Sequence, residues 1–335
     1  MKRIISLLLA LALSLSLAAC AAPAEKADGG KLQIVTTLFP YYDFARAIAR
    51  DRADVTLLLS PGREAHSFEP TPLDAVTISE ADVFLYNGGE GEYWVESMLD
   101  AAGEHIAVAS RMMDYVDALN EEYVEGMQGA DGHDHDHEHG SHDDHDHDHE
   151  EDEHDSDEIE YDEHIWTSPK NAVVLCRAVC DAICRADAEN AAFYRANCEN
   201  YCAQLEDLDA RFAALCESAP RRLLIFADRF PMLYFCREYG LDYRAAFHGC
   251  SGDTEPPLAT IKLLIDKVED ENIPVVYTID FGTKKVAAVV SECTGAAIET
   301  LYSMQTVSRA DFDAGETYLT LMERNFEALR KGLNE

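Results

Sequence analysis

The chain is poor in positive charge. It has 27 lysines and arginines against 64 aspartates and glutamates, giving a formal net charge of −37 at pH 7. Such a chain repels phosphate backbones, so nucleic acid is excluded as a partner, and cations or a basic protein surface are favoured. Beyond its N-terminus the sequence also lacks any uninterrupted apolar run of the roughly eighteen residues that a transmembrane helix needs. No later segment is therefore expected to cross a bilayer.

Two familiar zinc motifs are also missing. The sequence has no Cys-x-x-Cys pair and no His-Glu-x-x-His motif. Nine cysteines remain besides Cys20, and two groups repeat at helical spacing, 176, 180 and 184 in one and 198 and 202 in the other. Bridged helices and a thiolate metal site both fit this pattern, but such stripes are more often small apolar packing residues. We therefore expect buried thiols.

The N-terminus has the pattern of a lipoprotein secretory signal. Two basic residues are followed by an apolar core over 4–17 and by small residues before Cys20. This pattern predicts a signal peptide over 1–19 and a mature chain that is lipidated at Cys20. A single lipidated terminus anchors an exported protein to the outer face of the bacterial cell membrane without spanning it, and 20–31 would be the tether.

The most unusual composition lies in the internal stretch 131–160. It holds nine histidines and sixteen acidic residues, with no aromatic residue and one apolar residue, Ile159. Such a segment cannot bury enough surface to offset its ordering entropy, so we expect a solvated, mobile loop. It could be a plain charge run or an affinity tag, but a tag would be terminal and pure histidine. Imidazole interleaved with carboxylate instead favours weak capture of zinc, copper or nickel. The histidines expected to capture metal are His133, His135, His137, His139, His142, His145, His147, His149 and His154.

Apolar runs of strand length alternate with helical patterns on both sides of this stretch. The alternation predicts an α/β protein of two lobes, each a mostly parallel sheet flanked by helices. The lobes would cover 32–185 and 218–335, with a long linker helix over 186–217 between them. Ligands bind beyond the carboxyl ends of parallel strands, so the metal site is expected in the interlobe cleft. The predicted strands are 33–36, 55–59, 83–87, 106–109, 223–227, 243–247, 275–279 and 297–301, and the last predicted helix is 311–333.

Four side chains follow predicted strands or loops where this cleft would be. His66 lies in a loop after the second strand, and His164 comes directly after the charged run. Asp228 and Asp280 end the segments LLIFAD and VVYTID. Two imidazoles and two carboxylates from four elements can form a closed site for a first-row divalent ion. Each also has an ordinary interpretation, since a loop histidine is often only surface and an aspartate after a strand is commonly a helix cap.

Seven segments give the chain a resemblance to a known family. They are IVTTLFPYYDFARAIA (34–49), PGREAHSFEPTPLD (61–74), YNGGEGEYW (86–94), DEHIWTSPKNA (162–172), EYGL (238–241), TEPP (254–257) and TYLTLMERN (317–325). They resemble the metal-binding lipoproteins of ABC importers for zinc and manganese, in particular zinc-binding proteins of the ZnuA/AdcA type. The resemblance implies His66 and His164 as ligands, and Asp280 as the acidic ligand if the strand register slips by one residue. It also implies small lobe movements about the linker helix.

The third ligand position departs from the family pattern. Family members carry a histidine or a glutamate at a fixed distance before a Tyr-Phe pair. Counting back from Tyr234 places Arg229 there, and a guanidinium cannot ligate a metal. We expect Asp228 as the substitute, with Glu255 or His248 from neighbouring loops as alternatives.

Together these features predict a metal-capturing transport protein rather than an enzyme. The expected ligand is Zn(II), without an organic cofactor, delivered by a monomeric, membrane-anchored chain to the permease of an ABC importer. Manganese is the nearest alternative, because two carboxylates make a harder site than a third imidazole would, although weak imidazole sites in the loop would concentrate zinc. A surface adhesin or metal buffer is a further alternative. A zinc hydrolase is disfavoured because no comparable catalytic motif is present.

Overall fold

The computed structural model describes residues 30–63, 68–103, 106–127, 160–249 and 255–334. They form two lobes, each built on a four-stranded sheet that helices flank. Every pairing between the strands of these sheets is parallel. The predicted fold class is therefore confirmed.

The first sheet has the order β2-β1-β3-β4. Its inner strands are apolar because a parallel sheet is covered on both faces, and Ile34 pairs with both Val55 and Val83. The chain moves to opposite sides of β1 to form β2 and β3, so a crevice opens beyond the carboxyl ends of β1 and β3. The elements are β1 (Leu32–Thr36), α1 (Phe39–Ala49), β2 (Ala53–Leu57), α2 (Pro72–Ser79), β3 (Val83–Tyr86), α3 (Trp94–Ala102) and β4 (Val108–Arg111).

The second sheet repeats this arrangement with the order β6-β5-β7-β8. Its crevice lies beyond β5 and β7, the strands that the sequence predicted to end in the two aspartates. The β5 strand changes register against β6 between Phe226 and Arg229, so one extra residue bulges out beside Asp228. Bulges re-aim side chains and are frequent beside binding sites. The elements are β5 (Leu223–Phe230), α6 (Leu233–Tyr239), β6 (Asp242–His248), α7 (Leu258–Asp270), β7 (Val275–Ile279), α8 (Lys285–Thr294) and β8 (Ala297–Leu301).

Two consecutive helices, α4 (Pro169–Ala186) and α5 (Ala191–Ser218), connect the sheets. Ser168 caps α4 by accepting a hydrogen bond from the Asn171 N–H at 3.3 Å, as its position before a proline predicted. With 28 residues, α5 is about 42 Å long. It packs against α1 and α4 on one side and against α6 on the other. A helix of this length, in contact with both halves, makes large hinge movements unfavourable.

Two local predictions differ from the structure. The linker helix, predicted over 186–217, begins at Ala191, because Asp187 caps a short 3-10 turn, Ala188–Asn190, before it. The predicted helix 311–333 is two helices, α9 (Arg309–Ala314) and α10 (Tyr318–Asn334). Gly315 separates them with a φ of 77°, a left-handed conformation that ends a helix and that glycine adopts without strain. No described helix combines the length and apolar character needed to span a membrane.

Candidate metal site between the lobes

His164 is the centre of the described part of the site. Its side chain is buried, and its ring packs edge-on against Trp166 with centroids 5.6 Å apart. The Asp162 Oδ1 atom accepts hydrogen bonds from the His164 backbone N–H at 2.8 Å and from ring Nδ1 at 3.1 Å. Because a carboxylate only accepts, Nδ1 carries the proton and Nε2 keeps the lone pair that a metal needs. The segment therefore presents a pre-oriented imidazole.

The acidic neighbours of His164 set its protonation. Burial lowers the pKa of the imidazole, but the charges of Asp162, Glu163 and Glu121, with the hydrogen bond from Asp162, outweigh burial and leave this pKa raised. A cation is favoured at this position. A metal ion and a proton would therefore compete for the same imidazole.

Both lobes hold the His164 segment in place. From the first lobe, Asn87 Nδ2 donates to the Glu163 carbonyl at 3.0 Å. From the second, the Tyr234 hydroxyl donates to the Asp162 carbonyl at 2.8 Å. Trp166 Nε1 in turn donates to the Ser303 carbonyl at 2.7 Å. The imidazole thus stands at the junction of the lobes, as the sequence predicted for the cleft.

Glycines allow two backbone segments to approach this junction closely. A Cβ atom on Gly249 would lie 3.0 Å from His164 Cε1 and 3.0 Å from the Phe230 carbonyl oxygen. Gly89 has a φ of 96°, and a Cβ there would lie 2.5 Å from Glu163 Oε1. Side chains at either position would displace the segment that carries the ligand.

A small cleft opens beside the ring of His164. It brings the imidazole together with Arg229, which occupies the position where the family resemblance implies a third ligand. A guanidinium is always charged, so Arg229 places a positive charge at that position. The cleft is lined by His164, Arg229, Pro231, Gly249, Ile279, Phe281, Ser303, Gln305 and Thr306.

Asp228 is buried at the β5 bulge and is held by its own lobe. Its Oδ2 atom accepts from Thr278 Oγ1 at 2.7 Å and from the Ile279 N–H at 3.3 Å, and Oδ1 accepts from the Arg229 N–H at 2.9 Å. Gly282 packs so closely that a Cβ there would lie 1.7 Å from Oδ2. A carboxylate has about four lone-pair positions, so three donors leave capacity for one further partner.

Asp280 lies at the carboxyl end of β7, between two residues that line the cleft, Ile279 and Phe281. Its Oδ1 atom accepts a hydrogen bond from the Ser303 N–H at 3.1 Å, and the side chain is half-buried. The carboxylate of Asp280 is thus held by Ser303, a residue that lines the same cleft as His164.

The alternative third ligands have partners elsewhere. His248 Nδ1 lies 2.9 Å from Glu121 Oε1, and its ring packs against Tyr123. Glu255 is exposed and lies 3.6 Å from Lys285. His66, the histidines of 131–160 and Cys20 lie outside the described residues. Among the described residues, only Cys176, Cys198 and Cys202 bring three potential ligand atoms within 4.8 Å of one another, so His164, Asp228 and Asp280 do not form so tight a trio.

A buried acid beside the site was not anticipated from the sequence. Glu92 accepts a hydrogen bond from the Gly88 N–H at 2.8 Å, whereas its Oε1 atom has no hydrogen-bond partner. Burial raises its pKa to about 7. Together with Glu163 it lines a pocket at the end of β3. The turn NGGEGE signals the polar strand end, but burial of its second glutamate depends on packing that no local pattern reveals. The Asp162 partner of His164 could have been suspected from the sequence Asp-Glu-His.

The family model described as "Zinc-uptake complex component A periplasmic" matches residues 34–332. The chain belongs to this family. Members of this family are transport components, so the expectation of a non-enzyme is confirmed. High-affinity zinc uptake system protein ZnuA of Bacillus subtilis strain 168 is 31% identical over 308 residues, which cover 91% of this chain and 88% of that protein.

Two further comparisons concern Streptococcus pneumoniae AdcA. The zinc-binding lipoprotein AdcA of strain R6 is 30% identical over 334 residues, 99% of this chain but 61% of AdcA. The chain therefore spans less than two thirds of that relative. The crystal structure of the Zn(II)-bound ZnuA-like domain of AdcA matches with a TM-score of 0.71 and 25% identity, and the match covers 91% of this chain and 100% of that domain.

Proposed function

We propose that this protein captures Zn(II) outside the cytoplasm and delivers it to the permease of an ABC importer. The observation that carries the proposal is a buried imidazole, oriented by Asp162, at the junction of two lobes in a chain of the zinc-uptake family. Relatives described as zinc-uptake and zinc-binding proteins support the choice of metal. The lipid anchor at Cys20 and a monomeric state are part of the proposal.

The proposed ligands are His66, His164, Asp228 and Asp280. The two histidines bind as neutral imidazoles, and the two carboxylates supply the charge that neutralises a divalent ion. Asp228 is held by three donors and keeps one lone-pair position for the metal, while Asp280 accepts a hydrogen bond from Ser303, which lines the cleft.

The histidine-rich stretch 131–160 serves as a collecting segment in this proposal. Its nine imidazoles hold several ions weakly and raise their concentration near the tight site. Deleting 131–160 should lower the number of weakly bound ions and leave the tight ion in place. Loss of the tight ion in the deletion variant would show instead that the segment is structurally part of the site.

Calorimetry decides the metal. A chain that starts at Lys31 and lacks 131–160 is titrated with Zn(II) and with Mn(II), and then with each in the presence of the other. We expect one tight zinc equivalent that the His164→Ala variant lacks and that excess manganese does not displace. Manganese binding of equal or greater strength would favour the alternative of a manganese importer, to which two carboxylates are well suited. No tight binding of either metal would contradict transport capture altogether.

Delivery needs a separate test. Reconstituted permease in proteoliposomes should accumulate zinc only when metal-loaded protein is present, and the His164→Ala variant should not support accumulation. Tight zinc binding without any permease-dependent uptake would favour a metal buffer or adhesin over a transport component.

A further inference from the structure

The cysteine stripes of α4 and α5 face each other across the helix pair. Cys198 and Cys202 Sγ atoms are 3.8 Å apart, and Cys176 Sγ lies within 4.8 Å of both. Cys180 lies one turn after Cys176 on α4, and its Sγ atom is 3.9 Å from that of Cys184. Three sulfur atoms therefore form one close group, and the sulfur of Cys180 lies beside it, where it interacts with Cys198. We call these four sulfurs the sulfur cluster.

The sulfur cluster is dry and is separate from the interlobe cleft. The most exposed of its residues, Cys180, is only 3% exposed. No residue of the cluster lines the cleft beside His164. The Cys198 Sγ atom donates to the Cys176 carbonyl oxygen at 3.8 Å, so the two helices approach each other closely where the sulfurs lie.

Arg177 supplies positive charge at the edge of the sulfur cluster. Its guanidinium interacts with Cys202 and donates a hydrogen bond to Glu206 at 3.2 Å. Thiolates around a divalent ion leave excess negative charge, and burying such charge is unfavourable unless it is compensated. Arg177 provides part of that compensation, which cysteines acting only as apolar packing residues would not need.

We propose that Cys176, Cys180, Cys198 and Cys202 form a second metal site, for a thiophilic divalent ion of the zinc class. Four sulfurs bound to zinc at about 2.3 Å lie about 3.8 Å apart in a regular tetrahedron. The Cys198–Cys202 separation of 3.8 Å already has this value. Rotation of the Cys180 side chain towards the other three sulfurs would then complete the shell.

A disulfide fits this arrangement less well. Its sulfurs must approach to about 2.05 Å, so one pair would have to leave the positions in which three sulfurs lie together. One bridge would also use two of the four sulfurs and leave the other two without a role. A metal ion can use the three sulfurs that already lie within 4.8 Å of one another, with Cys180 as the fourth, and would fasten α4 to α5, the helix that contacts both lobes.

Co(II) is the probe, because thiolate ligands give it an intense sulfur-to-metal charge-transfer absorption that imidazole and carboxylate ligands do not. The whole chain is purified under reducing conditions, and Co(II) is added both to the folded protein and during refolding, so that slow entry into a buried site cannot hide binding. We expect a sulfur-to-cobalt band that saturates at one equivalent per chain in at least one of these preparations. One equivalent of Zn(II), beyond that taken up by the tight site between the lobes, should abolish it.

The variant Cys198→Ala should lose the band completely and should lower the thermal midpoint only of the metal-loaded protein. Cys216→Ala is the matched control, since it removes a buried thiol from the same helix outside the cluster. It should keep the full band. Circular dichroism verifies that each variant folds.

Three results would overturn the proposal. The first is the absence of a sulfur-to-cobalt band in both preparations while the four thiols are shown by mass spectrometry to be reduced. The second is a cross-helix disulfide among the four cysteines in protein isolated without reductant. The third is a band that Cu(I) removes but Zn(II) does not, which would assign the sulfurs to a monovalent ion.

Discussion

The two sheets share a topology but present different chemistry at the junction. Both have the order in which the first strand lies inside and the next two flank it, so both open a crevice at equivalent strand ends. In the first lobe β3 ends in Asn87 and two glycines, which hold the His164 segment through the backbone. In the second, Asp228 lies at the bulge of β5 and Asp280 directly follows β7. Topology determines where a ligand can bind, whereas glycine loops and a bulge determine which groups are presented.

The largest effect is expected from removing the imidazole of His164. In the chain lacking 131–160, His164→Ala should weaken zinc binding by more than about 100-fold, since changes outside the coordination shell alone cost roughly 10–100-fold. Competition calorimetry with a chelator measures this.

The matched control is His248→Ala, which removes an imidazole that pairs with Glu121 at 2.9 Å. Its zinc affinity should change less than about 3-fold, an energy below about 0.7 kcal/mol. Equal losses in the two variants would contradict the assignment of the imidazole ligand to the His164 segment.

Replacing the two aspartates with asparagine separates their roles within the second lobe. In Asp228→Asn, an amide replaces the carboxylate that accepts hydrogen bonds from Thr278 and Ile279. We therefore expect a loss of about 1–3 kcal/mol in the free energy of unfolding, as well as weaker zinc binding. Asp280→Asn keeps an oxygen for the Ser303 N–H and should lose less stability while still weakening zinc binding. Denaturant melts of the metal-free variants measure the first effect. Greater destabilisation in Asp280→Asn would reverse this assignment.

Buried acids of the two lobes differ as well. Glu92 has an oxygen without a partner, and burial raises its pKa from 4.5 to about 7, whereas Asp228 accepts three hydrogen bonds. Between pH 4.5 and about 7, the folded state therefore keeps a proton on Glu92 that the unfolded state has released. The contribution of this proton to the free energy of unfolding is fully present below pH 4.5 and is lost as the pH rises through about 7.

Glu92→Gln should remove this dependence. Compared with the unmodified chain, the variant should gain about 1–3 kcal/mol in the free energy of unfolding between pH 5 and pH 8. Glu96→Gln, an exposed glutamate on the neighbouring helix, serves as the control. Parallel pH profiles for all three chains would mean that Glu92 does not titrate in this range.

Much of the fold follows from local patterns. Strands 275–279 and 297–301 match the prediction residue for residue, because apolar runs bounded by turns suffice to define buried parallel strands. The β5 bulge and the break at Gly315 were not predicted. The bulge depends on the register between β5 and its neighbouring strand, which the sequence of β5 alone does not specify. A single glycine inside a helical pattern can either be tolerated or end the helix, so Gly315 did not by itself predict a break.

The site was predictable to a similar degree. His164 was found from its motif and lies at the lobe junction, whereas the roles of Asp162 and Glu92 depend on burial and on partners distant in sequence. The third ligand is the hardest position, because Arg229 interrupts the family pattern and three substitutes lie within reach along the sequence. Only the relative geometry of their strand ends and loops distinguishes them.

The smallest effect is expected at the least favoured of these substitutes. Glu255 is 80% exposed and lies 3.6 Å from Lys285, and pairs of this kind contribute about 0–1 kcal/mol. Glu255→Gln should therefore change zinc affinity by less than about 3-fold and stability by less than about 0.5 kcal/mol, measured beside Asp228→Asn in the same buffer. If Glu255→Gln weakens zinc binding more than Asp228→Asn does, the third ligand comes from the loop that follows β6. The carboxylate at the β5 bulge would then have a structural role, and the contrast between the lobes would rest on Asp280 alone.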